Sequence, residues 1–270
     1  MKNNSDFRVR YGQWAIVAGA SEGLGAEYAR QLASRGLNLI LIARRAVLLQ
    51  SLATILSGQY HVEIKTIALD LSLPDTAGHI LEIANGLDIG LLVYNAASSA
   101  VGPFLEKSLD DHLKEIDTNV RVPLKLVYLF GERMVRRGRG GIILMASLSA
   151  FQGSAYISTY AATKAFNIVL AEGLWEEWQG RGVDVMVCVA GAIRTPNYIA
   201  SQPKQTGHFS DSTMEPEQVV REALAALGKR PYIIPGRMNR FSSFIMRHLM
   251  PRKMAVQLMG KILHDMYVDY

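Results

Sequence analysis

Cysteine is almost missing from this chain of 270 residues. Cys188 stands alone, which excludes a disulfide framework and a cysteine-rich zinc module and fits a reducing compartment. Long apolar runs are missing too: no stretch approaches the roughly 18 uninterrupted apolar residues of a membrane span. The N-terminal MKNNSDFRVRYGQW lacks the apolar segment of a secretory leader. A cytoplasmic protein is the expectation, and no metal site is assigned. Acids are also missing from the basic C-terminal stretch. Between Lys229 and Lys261 there are eight Lys or Arg and no Asp or Glu, so the rest holds 21 cations against 24 acids. The net charge of +5 therefore belongs to the tail, whereas a nucleic-acid binder more often carries a basic stripe on its main fold. No nucleic-acid partner is expected.

With 49% hydrophobic and 20% charged residues, the composition is that of an ordinary folded chain able to bury a core. Short apolar runs alternate with longer amphipathic ones. Residues 14–19, 37–43, 62–69, 89–95, 141–147, 183–189 and 232–234 read as strands; 22–35, 46–56, 74–84, 108–136, 160–179 and 216–227 read as helices. Val/Ile/Leu-rich strands separated by helices predict an α/β fold. One doubly wound Rossmann domain spanning 1–270 is expected, with a parallel sheet of about seven strands covered on both faces. Residues 190–214 follow a strand and lack periodicity. Open α/β sheets bind ligands there, so a substrate loop or lid is expected.

The first strand runs into AGASEGLG, where Gly19, Gly23 and Gly25 precede a helix. Such a turn lets a phosphate approach the backbone and meet the N–H groups of the helix start. Glycines also serve as plain turn residues, and position after the first strand is what favours the phosphate reading. The second strand ends in LIARR, and 40–51 contains Arg44 and Arg45 but no acid. Arginines there suit a 2′-phosphate, hence NADP(H) rather than NAD; a solvated surface pair is the alternative. Tyr160 and Lys164 sit four apart near a helix start, on one face. Chance alone supplies about 0.4 such pairs in a chain of this composition, so context decides. A nearby cation favours phenolate. Ser147 ends a strand thirteen residues upstream, where its hydroxyl can meet a carbonyl oxygen.

With these motifs in order, the chain resembles the short-chain dehydrogenase/reductase family over residues 14–235, nearest to NADP-dependent bacterial hydroxysteroid dehydrogenases and ketoacyl reductases. The glycine motif, Asp70 in ALDLS, Asn95-Ala96, Asn119, Ser147, Tyr160 with Lys164, and Ala190-Gly191 with Ile193 and Thr195 carry the resemblance. It implies reversible hydride transfer between NADP(H) and a ketone or secondary alcohol, on an apolar or ring substrate. Tyr160 would be the general acid/base, Lys164 would lower its pKa and bind the nicotinamide ribose, and Ser147 would orient the substrate oxygen. Asn119 would keep a water in a proton relay through Lys164. The resemblance places the cofactor against Gly19, Ser21, Glu22, Gly23, Leu24, Gly25, Arg44, Arg45, Asp70, Leu71, Asn95, Ala96, Tyr160, Lys164, Ile193 and Thr195. Asp70 would touch the adenine and Thr195 the carboxamide. Three positions depart from the family: Ala18 for Thr, Tyr94-Asn95-Ala96-Ala97 for Asn-Asn-Ala-Gly, and Ala190 for Pro. The alternatives are a 3-ketoacyl reductase, a non-catalytic NADP-binding sensor, and an extended lyase or epimerase.

Residues 237–268 read as a C-terminal extension of two amphipathic helices around Pro251, a residue suited to the first helical position. Six of the 11 Met fall between Met238 and Met266. These helices suit packing over the domain's own edge, a substrate pocket or subunit contact, or an anionic membrane surface. The helices 108–136 and 160–179 carry Leu124, Val127, Tyr128, Phe130 and Met134, and Phe166, Val169, Leu170, Leu174 and Trp178. That is more apolar surface than one sheet face requires, and a homodimer or homotetramer is expected.

Overall fold

The computed structural model describes residues 4–200 and 213–267. Seven parallel strands form one sheet: β1 (Trp14–Ala18), β2 (Asn38–Ala43), β3 (Ile64–Ala68), β4 (Ile89–Tyr94), β5 (Gly140–Ser147), β6 (Val183–Ala190) and β7 (Tyr232–Ile233). Their order is β3-β2-β1-β4-β5-β6-β7, the doubly wound arrangement, so the chain reverses direction across the sheet between β1 and β4.

The strands are continuous apolar runs because both faces are covered. On one face Val17, Leu41, Val93 and Cys188 meet Tyr28 and Leu32 of α2 (Gly23–Ala33), Leu49 and Leu56 of α3 (Ala46–Tyr60), and Val219 and Leu224 of α9 (Pro216–Ala226). On the other, Ile16, Ile42, Leu92 and Leu144 meet Ile80 of α4 (Thr76–Ile83), Leu126, Phe130 and Met134 of α6 (Val122–Arg137), and Ile168 and Ala171 of α7 (Ser158–Trp178).

Three local expectations need correction and one needs refinement. The N-terminal segment was not read as a helix, yet α1 (Asn4–Tyr11) forms. It is tied to β6 by Arg10, whose Nε lies 2.6 Å from Asp184 Oδ2, and by the Tyr11 hydroxyl, 2.8 Å from the same oxygen. The segment 108–136 is one helical run, as expected, but not α throughout: α5 (Leu109–Ile116) passes through a π-turn, Asp117–Arg121, into α6 with right-handed helical angles at each junction. Pro251 lies just before α11 (Arg252–Tyr267), its carbonyl accepting from Ala255 N–H, rather than at the first helical position. Finally, Val127, Phe130 and Met134 are buried in the chain's own core. Leu124, Tyr128 and Val169 are the members of the two-helix apolar set that stay exposed.

Candidate active site

The carboxyl ends of β1, β4, β5 and β6 converge at the reversal point, and the singled-out residues collect there. Gly19 leaves β1 with φ +80°, and a Cβ there would come within 2.7 Å of Ala96. Asn95 ties the two strand exits together, its Nδ2 donating to Gly19 O at 3.0 Å. A Cβ on Gly25 would stand 1.9 Å from Gly19 O, so α2 starts hard against the turn. Gly23, at φ +58°, faces Thr195, whose Cγ2 would lie 2.9 Å from a Cβ added there. The loop after β6 is thus brought over the glycine turn. Glu22, the N-cap of α2, makes no side-chain cap bond, which leaves the first-turn N–H groups available to an anion.

At the β2 exit Arg45 closes over this turn, its Nη2 lying 2.5 Å from Glu22 Oε1 and 3.2 Å from Ser21 Oγ. Arg44 is exposed and acts electrostatically on Asp70. Burial works against the Asp70 carboxylate, but bonds from Ser72 N–H and Oγ and the Arg44 charge hold its pKa below the ordinary value. Both Ser72 bonds go to Oδ1, which leaves Oδ2 for a ligand. Uncapped amides, two arginines and a hydroxyl at one rim form a donor set that fits a phosphorylated dinucleotide. The side chains of Leu24, Leu71 and Ile193 pack on the apolar clusters, Leu71 buried and the other two partly so.

The residues expected to carry the reaction sit on β5 and α7. Ser147 closes β5, and its Oγ accepts from Ser149 N–H (3.3 Å) and Ser149 Oγ (3.0 Å). Lys164 is buried. Its Nζ donates to Met145 O at 3.1 Å and lies 5.5 Å from the Tyr160 ring centroid. Burial pulls the Lys164 ammonium down to about 8. The expected lowering of Tyr160 by Lys164 does not arise in the polypeptide alone. Burial pushes the Tyr160 phenol up to about 12, the Ser147 hydrogen bond pulls it down, and Glu115 and Tyr267 push it further up.

Asn119 lies in the π-turn. Its Oδ1 accepts from Ser98 N–H (2.8 Å), and its Nδ2 donates to Ser98 O (2.8 Å) and Thr163 Oγ1 (3.0 Å). Its main-chain oxygen accepts from Asn167 Nδ2 at 3.3 Å, so Asn119 reaches α7 through Thr163 and Asn167 rather than Lys164 directly. A π-turn leaves carbonyls without the usual partner. Tyr94 takes one of them: its hydroxyl donates to Thr118 O at 2.5 Å. That bond accounts for tyrosine where the family has asparagine.

Several site residues escaped the sequence reading. Thr163 and Asn167 share the Tyr160/Lys164 face of α7 at spacings of three and four, a polar stripe visible in sequence. Asn239 of α10 (Arg237–Phe244) could not be found that way. It packs against Gly191, where a Cβ would meet its amide at 2.8 Å, and its Nδ2 donates to Pro235 O at 3.0 Å. The last helix, α11, also reaches the site: His264 lies 5.7 Å from the Tyr156 ring, and Ala255 and Leu263 are buried. The tail therefore packs on its own domain beside the cleft.

The loop after β6 pairs with itself at its ends. Met214 N–H donates to Ala192 O (3.1 Å) and Arg194 N–H to Met214 O (3.0 Å), and Thr195 Oγ1 caps α8 (Pro196–Ala200). The middle of the expected lid, 201–212, and residue 268 lie outside the described residues. No described helix is long and apolar enough to cross a membrane.

Comparison with known proteins agrees with this fold. A family model described as short chain dehydrogenase matches residues 13–206. The 7β-hydroxysteroid dehydrogenase of Clostridium sardiniense is 32% identical over 97% of this chain and 99% of its own. A solved structure of a 7β-hydroxysteroid dehydrogenase superposes with a TM-score of 0.89 at 28% identity, covering 93% of this chain and 98% of that one. A short-chain dehydrogenase from Sphingobium yanoikuyae, solved in complex with NADPH, gives 0.74 at 27% identity over 86% and 91%.

Proposed function

The chain belongs to the short-chain dehydrogenase/reductase family of oxidoreductases, and on that premise we propose that it interconverts a ketone and its secondary alcohol with NADP(H). What carries the reading is the cluster of Ser147, Tyr160 and Lys164 beside the glycine turn. NADPH, when bound, supplies the hydride to the carbonyl carbon. The α2 amides and the Gly19 turn would hold its pyrophosphate, Ser21, Arg44 and Arg45 its 2′-phosphate, and Asp70 Oδ2 its adenine. Tyr160 gives its phenolic proton to the carbonyl oxygen as the carbon is reduced, and retrieves it in oxidation. A phenol pushed up to about 12 stays protonated at neutral pH, which suits the donor role. Ser147 donates to the same oxygen.

The substrate is an apolar ring ketone of steroid type. Supporting this are the likeness to 7β-hydroxysteroid dehydrogenases and the Met-bearing helix α11 laid beside the cleft. NADPH consumption with 7-keto steroids, 3-oxoacyl thioesters and aromatic ketones tests it. Turnover fastest on the steroids supports the reading, and thioester preference replaces it with acyl reduction. NADPH binding without turnover on any of them leaves a sensor. Two copies pair through α6 and α7, where Leu124, Tyr128 and Val169 stay exposed beside an apolar groove of Phe104, Ile116, Val120 and Ala162. Light scattering that found only a 29.8 kDa species would remove that assembly.

A further inference from the structure

Glu115 is a buried titratable group that the reaction above does not use. It is 1% exposed. Its Oε1 accepts a hydrogen bond from Ala100 N–H, while Oε2 is buried with no hydrogen-bond partner. A dry, half-matched carboxyl is unfavourable, and an apolar side chain of similar size would fill the same space without that penalty. Its surroundings show what the carboxyl is placed against. His112, Glu115 and Asn119 follow one another at three- and four-residue spacing on one side of α5 and its π-turn. Each grips a segment of the site. His112 Nδ1 lies 2.9 Å from Thr159 Oγ1, next to Tyr160. Asn119 bonds Ser98 and Thr163. Glu115 bonds Ala100, two residues further along the same loop. That loop is also held by Gly102 N–H donating to Tyr156 O at 2.8 Å.

We propose that Glu115 is a positioning residue: through Ala100 it holds the 95–103 loop over the Ser147–Tyr160–Lys164 cluster, and its carboxyl charge acts on the proton that Tyr160 transfers. The inference rests on the acid/base role proposed for Tyr160. Among the described residues, these groups face the pair. On α5, His112 favours the ionised Glu115 and Asp111 opposes it; burial raises the Glu115 carboxyl above its ordinary range and the Ala100 bond lowers it. Around Tyr160 stand Ser147 from β5, Glu115 from α5, Tyr267 from α11 and Lys164 from its own helix. A charged Glu115 disfavours phenolate; a neutral one removes that opposition.

Glu115→Gln keeps an oxygen for Ala100 N–H and the side-chain volume but removes the charge. The readout is kcat/KM for alcohol oxidation against pH, because oxidation needs Tyr160 as the base. The rising limb of the Gln variant is expected at lower pH, by about half a unit or more. Glu115→Leu also removes the acceptor, so kcat should fall at every pH with KM for NADP+ unchanged, and Gln should restore most of that loss. A merely structural residue would change melting temperature and kcat and leave the profile of the Gln variant on that of the unmodified enzyme. That superposition would overturn the inference. Tyr160→Phe run alongside separates the two readings: an active Phe variant removes the acid/base role itself. An inactive one with an unmoved Gln profile removes only the part given to Glu115.

Discussion

The polar groups of α7 and those at the exits of β2 and β3 face the same edge of the sheet, yet their surroundings are opposite. Lys164 and Asn167 are 3% and 1% exposed, and bond to Met145 and Asn119 across a dry interior. Arg44 and Arg45 are exposed, and the Arg45 side chain keeps 49% of its surface in water. In the first region the loss of one group orphans its neighbours, so function and stability fall together. In the second, water replaces whatever is removed, and ligand preference changes while the fold does not.

The largest break in that contrast comes from Tyr160→Phe, which removes the transferable proton alone. Turnover should fall by about 10³-fold or more, while NADPH binding, followed by fluorescence titration, stays close to that of the unmodified protein. Lys164 tests how dry the interior is. Its pKa is about 8 in the folded chain against 10.5 as the ordinary value. Between these values the unfolded chain holds a proton that the folded chain has lost, so this site adds stability as pH rises. The unmodified protein should therefore gain on Lys164→Met by roughly 2–3 kcal/mol between about pH 7 and pH 10. Tyr160, raised from 10 to about 12, acts in the opposite sense only above pH 10. Denaturant unfolding at several pH values measures the difference, and a pH-independent gap would mean that the ammonium is hydrated.

Asn119→Ala removes three side-chain hydrogen bonds and leaves Ser98 N–H without its acceptor. A loss of about 2–3 kcal/mol is expected on unfolding, with lower kcat. The rim should respond least. Arg44→Ala with Arg45→Ala should weaken NADPH binding about tenfold or more and NADH binding far less, with the melting temperature nearly constant. Equal losses for both cofactors would assign these arginines to the surface.

Much of this was legible in the chain itself. Strand-length apolar runs between amphipathic segments specify a sheet covered on both faces, since only burial on both sides makes a strand apolar throughout. Gly19 after the first strand, Tyr160 with Lys164 on one helix face and Ser147 at a strand end are local patterns, and local geometry suffices to read them. Tertiary structure decided what depends on distant partners. The π-turn at Asn119 is invisible in a sequence that reads as a plain helix, because it is supported by Tyr94, Thr163 and Asn167 from two other elements. Burial of Val127, Phe130 and Met134, but not of Tyr128, follows from which face of α6 meets the sheet. The approach of α11 to Tyr156 and the half-matched carboxyl of Glu115 likewise exist only once segments far apart in sequence are packed together. Sequence specifies periodicity and turn chemistry residue by residue, whereas burial and proton affinity are properties of the assembled neighbourhood.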